Sequence, residues 1–203
     1  NSYELVITDK KDLAELPNEL IETAANDAKA KGKAGKWVFT LSNSSVMPFL
    51  QYSSNRKLRQ EIWNAYQMRA NNGNDKDNKS LAIKIANLRG EKARLLGYAT
   101  HADYVLEKSM AKNPETANKL LNDLWIPALN MANKEAADIQ KMMQKEGINE
   151  PVQPYDWRYY TEKIRKERFD LDEQEMKPYF SLEKTREGVF TVCKNLFGLQ
   201  FKQ

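Results

Sequence analysis

One histidine, His101, and one cysteine, Cys193, are the only members of the two residue types that most readily act as base, nucleophile or soft metal ligand near neutral pH. A catalytic zinc takes about three protein ligands, mostly His, and keeps one position open for water. His101 and Cys193 cannot supply that set, and no His-Glu-x-x-His occurs in the chain. A Ser-His-Asp triad would have to run through His101, and no Gly-x-Ser-x-Gly turn accompanies it. Gly32-Lys33-Ala34-Gly35-Lys36 has the look of a phosphate loop. However, Trp37 follows the lysine where Ser or Thr is needed, and a strand follows where a helix should open. The sequence therefore offers no catalytic and no metal-binding residue, and His101 reads as an ordinary loop or helix-start residue.

The densest candidate for binding is aromatic and basic. Tyr155, Trp157, Tyr159 and Tyr160 precede Lys163-Ile164-Arg165-Lys166-Glu167-Arg168. Such a run can hold single-stranded nucleic acid by charge and stacking. It can also hold the carboxylate end of a peptide, since Arg pairs bidentately with carboxylates. A third reading is an amphipathic helix with rings inward and cations in water. Asn43-Ser44-Ser45 and Asn78-Lys79-Ser80 match the glycosylation triplet by chance.

The elements that would carry these residues are mainly helical. Pro17 suits the first turn of a helix with Leu20, Ile21, Ala24, Ala25 and Ala28 on its apolar face, ended by Gly32. Lys36-Trp37-Val38-Phe39-Thr40-Leu41 reads as a strand. Asn55 caps a helix carrying Leu58, Ile62, Tyr66 and Arg69, and Asn72-Gly73-Asn74 breaks it. Leu81, Ile85, Leu88 and Leu95 mark the next helix. Asn113, Pro114 and Glu115 open the longest one. Its apolar positions run from Ala117 through Leu120, Leu121, Leu124, Ile139 and Met143, and Pro127 should kink it. Asp156 caps a helix with Trp157, Tyr160 and Ile164 on one face. Asp172 and Glu175 are spaced as a capping box for a short turn that Pro178 stops. Ser181 caps the last helix, with Val189, Cys193, Leu196 and Phe197 inward, and residues 199–203 read as an incipient strand. The fold class is thus mainly α, a multi-helix domain with one or two short strands at 36–41 and 199–203. Residues 1–203 form a single helical unit, with a subdivision into 1–112 and 113–203 as an option.

Composition narrows the function classes. With 203 residues, 41% hydrophobic and 30% charged, the chain can bury a real core. No run approaches the roughly 18 apolar residues of a membrane span. The net charge of +4 comes from interleaved signs, which favours a solvated helical surface over a nucleic-acid partner. A single cysteine excludes an internal disulfide and fits the cytoplasm, with the periplasm kept open. The chain begins with Asn and stops in an incipient strand, so a cut-down chain with exposed apolar surface near Trp37, Phe39 or Phe201 is expected, along with self-association.

Specific stretches go further than composition. Leu96-Gly97-Tyr98 with Ala102-Asp103-Tyr104 and Met110-Ala111-Lys112-Asn113-Pro114, then Pro154-Tyr155-Asp156-Trp157-Arg158-Tyr159-Tyr160, resemble segments of the zinc oligopeptidases typified by thimet oligopeptidase and the bacterial peptidyl-dipeptidases. So do Arg168-Phe169-Asp170-Leu171-Asp172, Pro178-Tyr179-Phe180, Gly188-Val189-Phe190 and Leu196-Phe197-Gly198. Phe39-Thr40-Leu41, Pro48-Phe49-Leu50 and Asn55-Arg56-Lys57-Leu58-Arg59 also fit, so the resemblance covers essentially the whole chain.

That resemblance implies a helical enzyme with a deep channel that admits short peptides. It implies a zinc ion in the parent enzyme, held by residues this chain lacks, so that no zinc is expected on the chain itself. Trp157, Tyr159, Tyr160 and Arg168 become candidate channel-wall residues. Short peptides are the implied partners, with no nucleic acid and no membrane. The competing reading is a non-enzymatic helical module that binds nucleic acid or an acidic protein. Steep weakening of binding with salt would single it out.

Overall fold

The computed structural model describes residues 3–170 and 173–202. In chain order the elements are β1 (Leu5–Ile7), α1 (Asn18–Ala30), β2 (Trp37–Phe39), α2 (Asn43–Tyr52), α3 (Arg56–Gln67), α4 (Lys79–Leu95) and α5 (His101–Leu106). They continue with α6 (Pro114–Lys145), α7 (Pro154–Phe169), α8 (Glu173–Met176) and α9 (Leu182–Phe197). Single 3-10 turns occupy Lys10–Leu13 and Lys177–Phe180. The fold is mainly α. Among the described residues, no helix is long and apolar enough to cross a membrane.

The core gathers at the N-terminal end. Strands β1 and β2 pair antiparallel, with Leu5 opposite Phe39 and Ile7 opposite Trp37. Helix α1 lays Leu20, Ala24 and Ala28 against them, at the four-residue spacing that keeps one face inward. Gly32 follows at φ +70°, and the Lys33 N–H reaches back to the Ala28 carbonyl at 2.8 Å, closing the helix in a left-handed turn. Helix α2 adds Val46, Phe49 and Leu50, with the Phe39 and Phe49 rings 4.7 Å apart, and α3 adds Ile62.

Several expectations need correction here. Residues 199–202 form no strand; the Phe201 ring instead stacks on Phe190 at 4.2 Å. Apolar residues alone do not make a strand, which also needs a paired edge. The partner of β2 is β1, whose three residues are too short to stand out in the sequence. Of the residues expected near exposed apolar surface, Phe39 lies wholly buried in the core, whereas Phe201 is exposed. Pro17 sits at the cap of α1, one residue before the first turn. The short α8 does end at Met176, just before Pro178, which itself lies in the 3-10 turn that follows. Asp172, read as half of a capping box, lies outside the described residues.

Residues up to Glu162 form one compact unit and those from Lys163 onward a second. In the second, Ser181 caps α9 by accepting from the Lys184 N–H at 3.3 Å, and Gly198 ends it at φ +67°. Cys193 is half-buried, while Val189, Val192, Leu196 and Phe197 are exposed, so the apolar face of α9 is not the inward face expected from its spacing.

Helix α6, about 48 Å long at 1.5 Å per residue, divides by environment. Asn113 caps it, accepting from the Thr116 N–H at 2.8 Å. Ile139 and Met143 near its C-terminus are buried, whereas every residue from 118 to 131 is exposed.

Candidate functional site

The most closely knit polar group in the first unit joins the start of α3 to the start of α7. Asn55 sets the first helix. Its side-chain oxygen accepts from the N–H groups of Lys57 and Leu58 at 3.1 and 3.2 Å, and its amide donates to Asp12 at 2.8 Å. Arg56 and Arg59 follow three residues apart, so both reach the same side of α3. Asp156, in the first turn of α7, meets them. Arg56 binds it bidentately, Nε to Oδ1 at 3.0 Å and Nη2 to Oδ2 at 2.9 Å, and Arg59 Nη2 donates to Oδ1 at 3.1 Å.

Asp156 is fully buried, and Arg59 is 1% exposed. Burial by itself would raise the Asp156 pKa. Hydrogen bonds from Arg56, from the Gln153 N–H at 3.0 Å and from Arg59 outweigh that and hold the carboxyl below the usual range. The remaining Arg59 donors go to the carbonyls of Ser53 (2.8 Å), Ser54 (3.2 Å) and Tyr155 (3.2 Å). Its guanidinium also lies 4.2 Å from the centre of the Tyr159 ring. A planar, always-charged fork suits this position in a way that Lys would not.

The four candidate binding residues fall differently. Tyr159 and Tyr160 are buried with ring centres 5.0 Å apart, and their hydroxyls donate to Glu15 at 2.8 Å and Glu146 at 3.0 Å. Burial and the nearby Glu146 carboxylate push the Tyr160 ionisation up, so it stays a neutral donor. Trp157 is half-buried on the same helix. Arg168, exposed, belongs to the second unit. The structure therefore brings Tyr159 and Tyr160 together with a group that the sequence reading did not assemble: Arg56, Arg59 and Asp156. The spacing of Arg56 and Arg59 behind a good cap was the available signal. Asp156 was read as the cap of its helix, but α7 begins at Pro154, so Asp156 lies inside the first turn, where its carboxylate accepts from the Gln153 N–H behind it and binds both arginines.

This group contains no unpaired nucleophile or base. Two cations flank one buried anion, and exposed Glu150 lies 3.5 Å from Arg56. Its physical effect is to fasten α7 to α3. A second feature of the same unit is an open cleft of about 610 Å³, bordered by Tyr3, Glu61, Asn64, Arg69 and Lys76. There the Tyr3 hydroxyl donates to Glu61 at 3.1 Å, and burial together with that carboxylate raises its pKa.

A metal centre does not fit these residues. Among the described residues, no group of three or more His, Cys, Asp and Glu lies close enough to hold an ion. His101 opens α5 with a buried, unpartnered Nδ1, its ring 6.3 Å from Tyr104, while Cys193 sits in α9 of the second unit.

The chain is similar to several curated proteins along nearly its full length. It is 35% identical over 208 residues to the chloroplastic/mitochondrial organellar oligopeptidase A of Arabidopsis thaliana, covering 98% of this chain and 26% of that protein. It is 34% identical over 198 residues to dipeptidyl carboxypeptidase of Escherichia coli, covering 97% and 29%. It is 33% identical over 203 residues to oligopeptidase A of the same organism, covering 98% and 30%. The chain thus spans less than a third of the length of these relatives. The sequence profile of peptidase family M3 matches residues 49–203, well over half of the chain, and the chain belongs to that family.

Proposed function

We propose that these residues supply a helical, channel-wall portion of a longer zinc-dependent metallopeptidase that cleaves short peptides, releasing dipeptides from the C-terminal end. The match to peptidase family M3 over residues 49–203 carries this reading. One relative's name, dipeptidyl carboxypeptidase, specifies the end from which dipeptides leave. The zinc and the group that activates water lie outside this span, and no residue here is assigned to either role.

On this reading the chain shapes and stiffens. Trp157 and Arg168 retain surface with which to meet a peptide, and a guanidinium such as that of Arg168 matches a terminal carboxylate. Tyr159 and Tyr160 support the wall from behind, through the ion-pair group they pack against. Neither nucleic acid nor a membrane takes part, and the enzyme works in the cytoplasm, where Cys193 stays reduced, with the periplasm as the alternative compartment.

Two assays on two polypeptides test it: zinc content after dialysis, and dipeptide release from a short fluorogenic peptide. The 203-residue chain is expected to hold no stoichiometric zinc and to turn nothing over. A polypeptide of M3-relative length carrying this span is expected to bind zinc and to show chelator-sensitive cleavage. Turnover by the short chain would mean that the site has been misplaced. A longer polypeptide inert towards peptides would overturn the function itself.

A further inference from the structure

The first half of α6 carries more apolar surface than one neighbour can cover. At 3.6 residues per turn, Leu120, Leu121, Leu124, Trp125, Leu129 and Met131 sweep an arc of about 180°, and Ile126 extends it to about 240°. A helix lying on a single core shows a stripe of roughly 100°. All seven are between 43% and 67% exposed. The narrow arc left over carries Asn130 and the Lys119 ion pair to Asp123 at 2.6 Å. Its physical character is that of a helix held between two apolar neighbours, with one narrow side left in water.

The nature of those neighbours follows from the same surface. A lipid occupant is disfavoured because the segment is shorter than the roughly 20 apolar residues of a span and carries Lys119 and Asp123. A second copy meeting this helix across a two-fold axis would cover one side of the arc and leave the other wet. The M3-family relatives carry most of their length outside the span they share with this chain. We infer that residues 120–131 form an internal helix of a longer M3-family polypeptide, clamped between two apolar elements drawn from sequence outside these 203 residues. The inference rests on the reading that the chain is part of such a polypeptide, and it adds which surface the rest of that polypeptide covers.

The test compares the 203-residue chain with a polypeptide of relative length carrying the same span, both with Cys193→Ser and Leu121→Cys. Thiol labelling at position 121 is read on its own peptide by mass spectrometry. Labelling is expected to be fast in the short chain and slower by on the order of a hundredfold in the long one, because reaction there must wait for local opening. Equal rates in the two overturn the inference. Protection in the short chain that grows with its concentration identifies a second copy as the occupant and also overturns it. Trp125→Glu provides an independent check: it should leave the short chain's thermal midpoint unchanged and lower that of the long one, and an unaltered long polypeptide counts against the clamp. Peptide cleavage is scored separately. A long polypeptide that cleaves peptides yet labels freely keeps the function and loses the clamp; one that is protected yet inert does the reverse.

Discussion

The two halves of α6 are written in similar sequence and meet opposite fates. Leu120, Leu121 and Leu124 in the first half keep the same 3–4 spacing as Ile139 and Met143 in the second. Yet the first three are 58–63% exposed and the last two are buried. What differs is the return of the chain. After α6, the Gln140 side chain holds the connector at both ends of its amide, donating to the Glu150 carbonyl and accepting from the Val152 N–H, each at 3.1 Å. Tyr160 then reaches Glu146, and the Asp156 group fastens α7 to α3. Polar contacts thus tie the returning chain to the part of α6 where Ile139 and Met143 are buried. Periodicity states that a helix has an inner face; it does not state what supplies the inside.

The sharpest way to break this comparison is to cut the anchor. Asp156→Asn leaves two arginines facing a neutral amide, with Arg59 buried. Removing one partner of a buried ion pair costs about 3–5 kcal/mol, so a large drop in the unfolding midpoint of the 203-residue chain is expected. Amide exchange should rise around Ile139 and Met143 and stay unchanged across 118–131. The pH dependence has a definite sign. Because the folded Asp156 pKa lies below its unfolded value near 4, its contribution is complete above about pH 4 and is lost as pH falls through the lowered folded value. Asp156→Asn should remove that acid-side loss. An unchanged midpoint and acid profile would show that the group does not anchor α7.

A smaller and more direct contrast places one truncation in each half. Met143→Ala removes a fully buried side chain and should cost about 2–5 kcal/mol. Leu121→Ala, in the same helix, removes a side chain already in water and should change the chain's stability by less than about 0.5 kcal/mol. Comparable losses from the two would mean that the first half is covered in solution.

What the sequence made readable divides along the same line between local and distant partners. Asn55, Asn113 and Ser181 were identified as caps, and each accepts a backbone N–H in the first turn of its helix, because cap and partner lie within three residues of one another. The strand at 37–39 was found within 36–41 from its β-branched and aromatic run. Helix α2 was not, since Pro48 stands inside it and its opening Asn-Ser-Ser reads as a loop. Asp156 and Arg56 are 100 positions apart, and nothing in either segment names the other. Tyr159 and Tyr160 stood out as aromatic residues near cations. That their rings lie beside Arg59 of α3 depended on how the chain folds back.

The mildest test concerns what holds the exposed half of α6 together. With little packing on residues 118–131, its first turn depends on local terms: the Asn113 cap, Pro114 at the first helical position and Glu115 near the positive end of the helix dipole. Asn113→Ala deletes the acceptor for the Thr116 N–H and should cost about 1 kcal/mol, while Asn113→Ser should restore most of it. The loss should be confined in space. A packed helix spreads a cap defect into a global change because its turns share a core. An unpacked one frays from the end, so exchange should quicken at 116–120 and leave Ile139 and Met143 as protected as before. If protection falls equally at both ends of α6, the helix melts as one cooperative unit. The division between its halves would then be one of exposure only and not of stability.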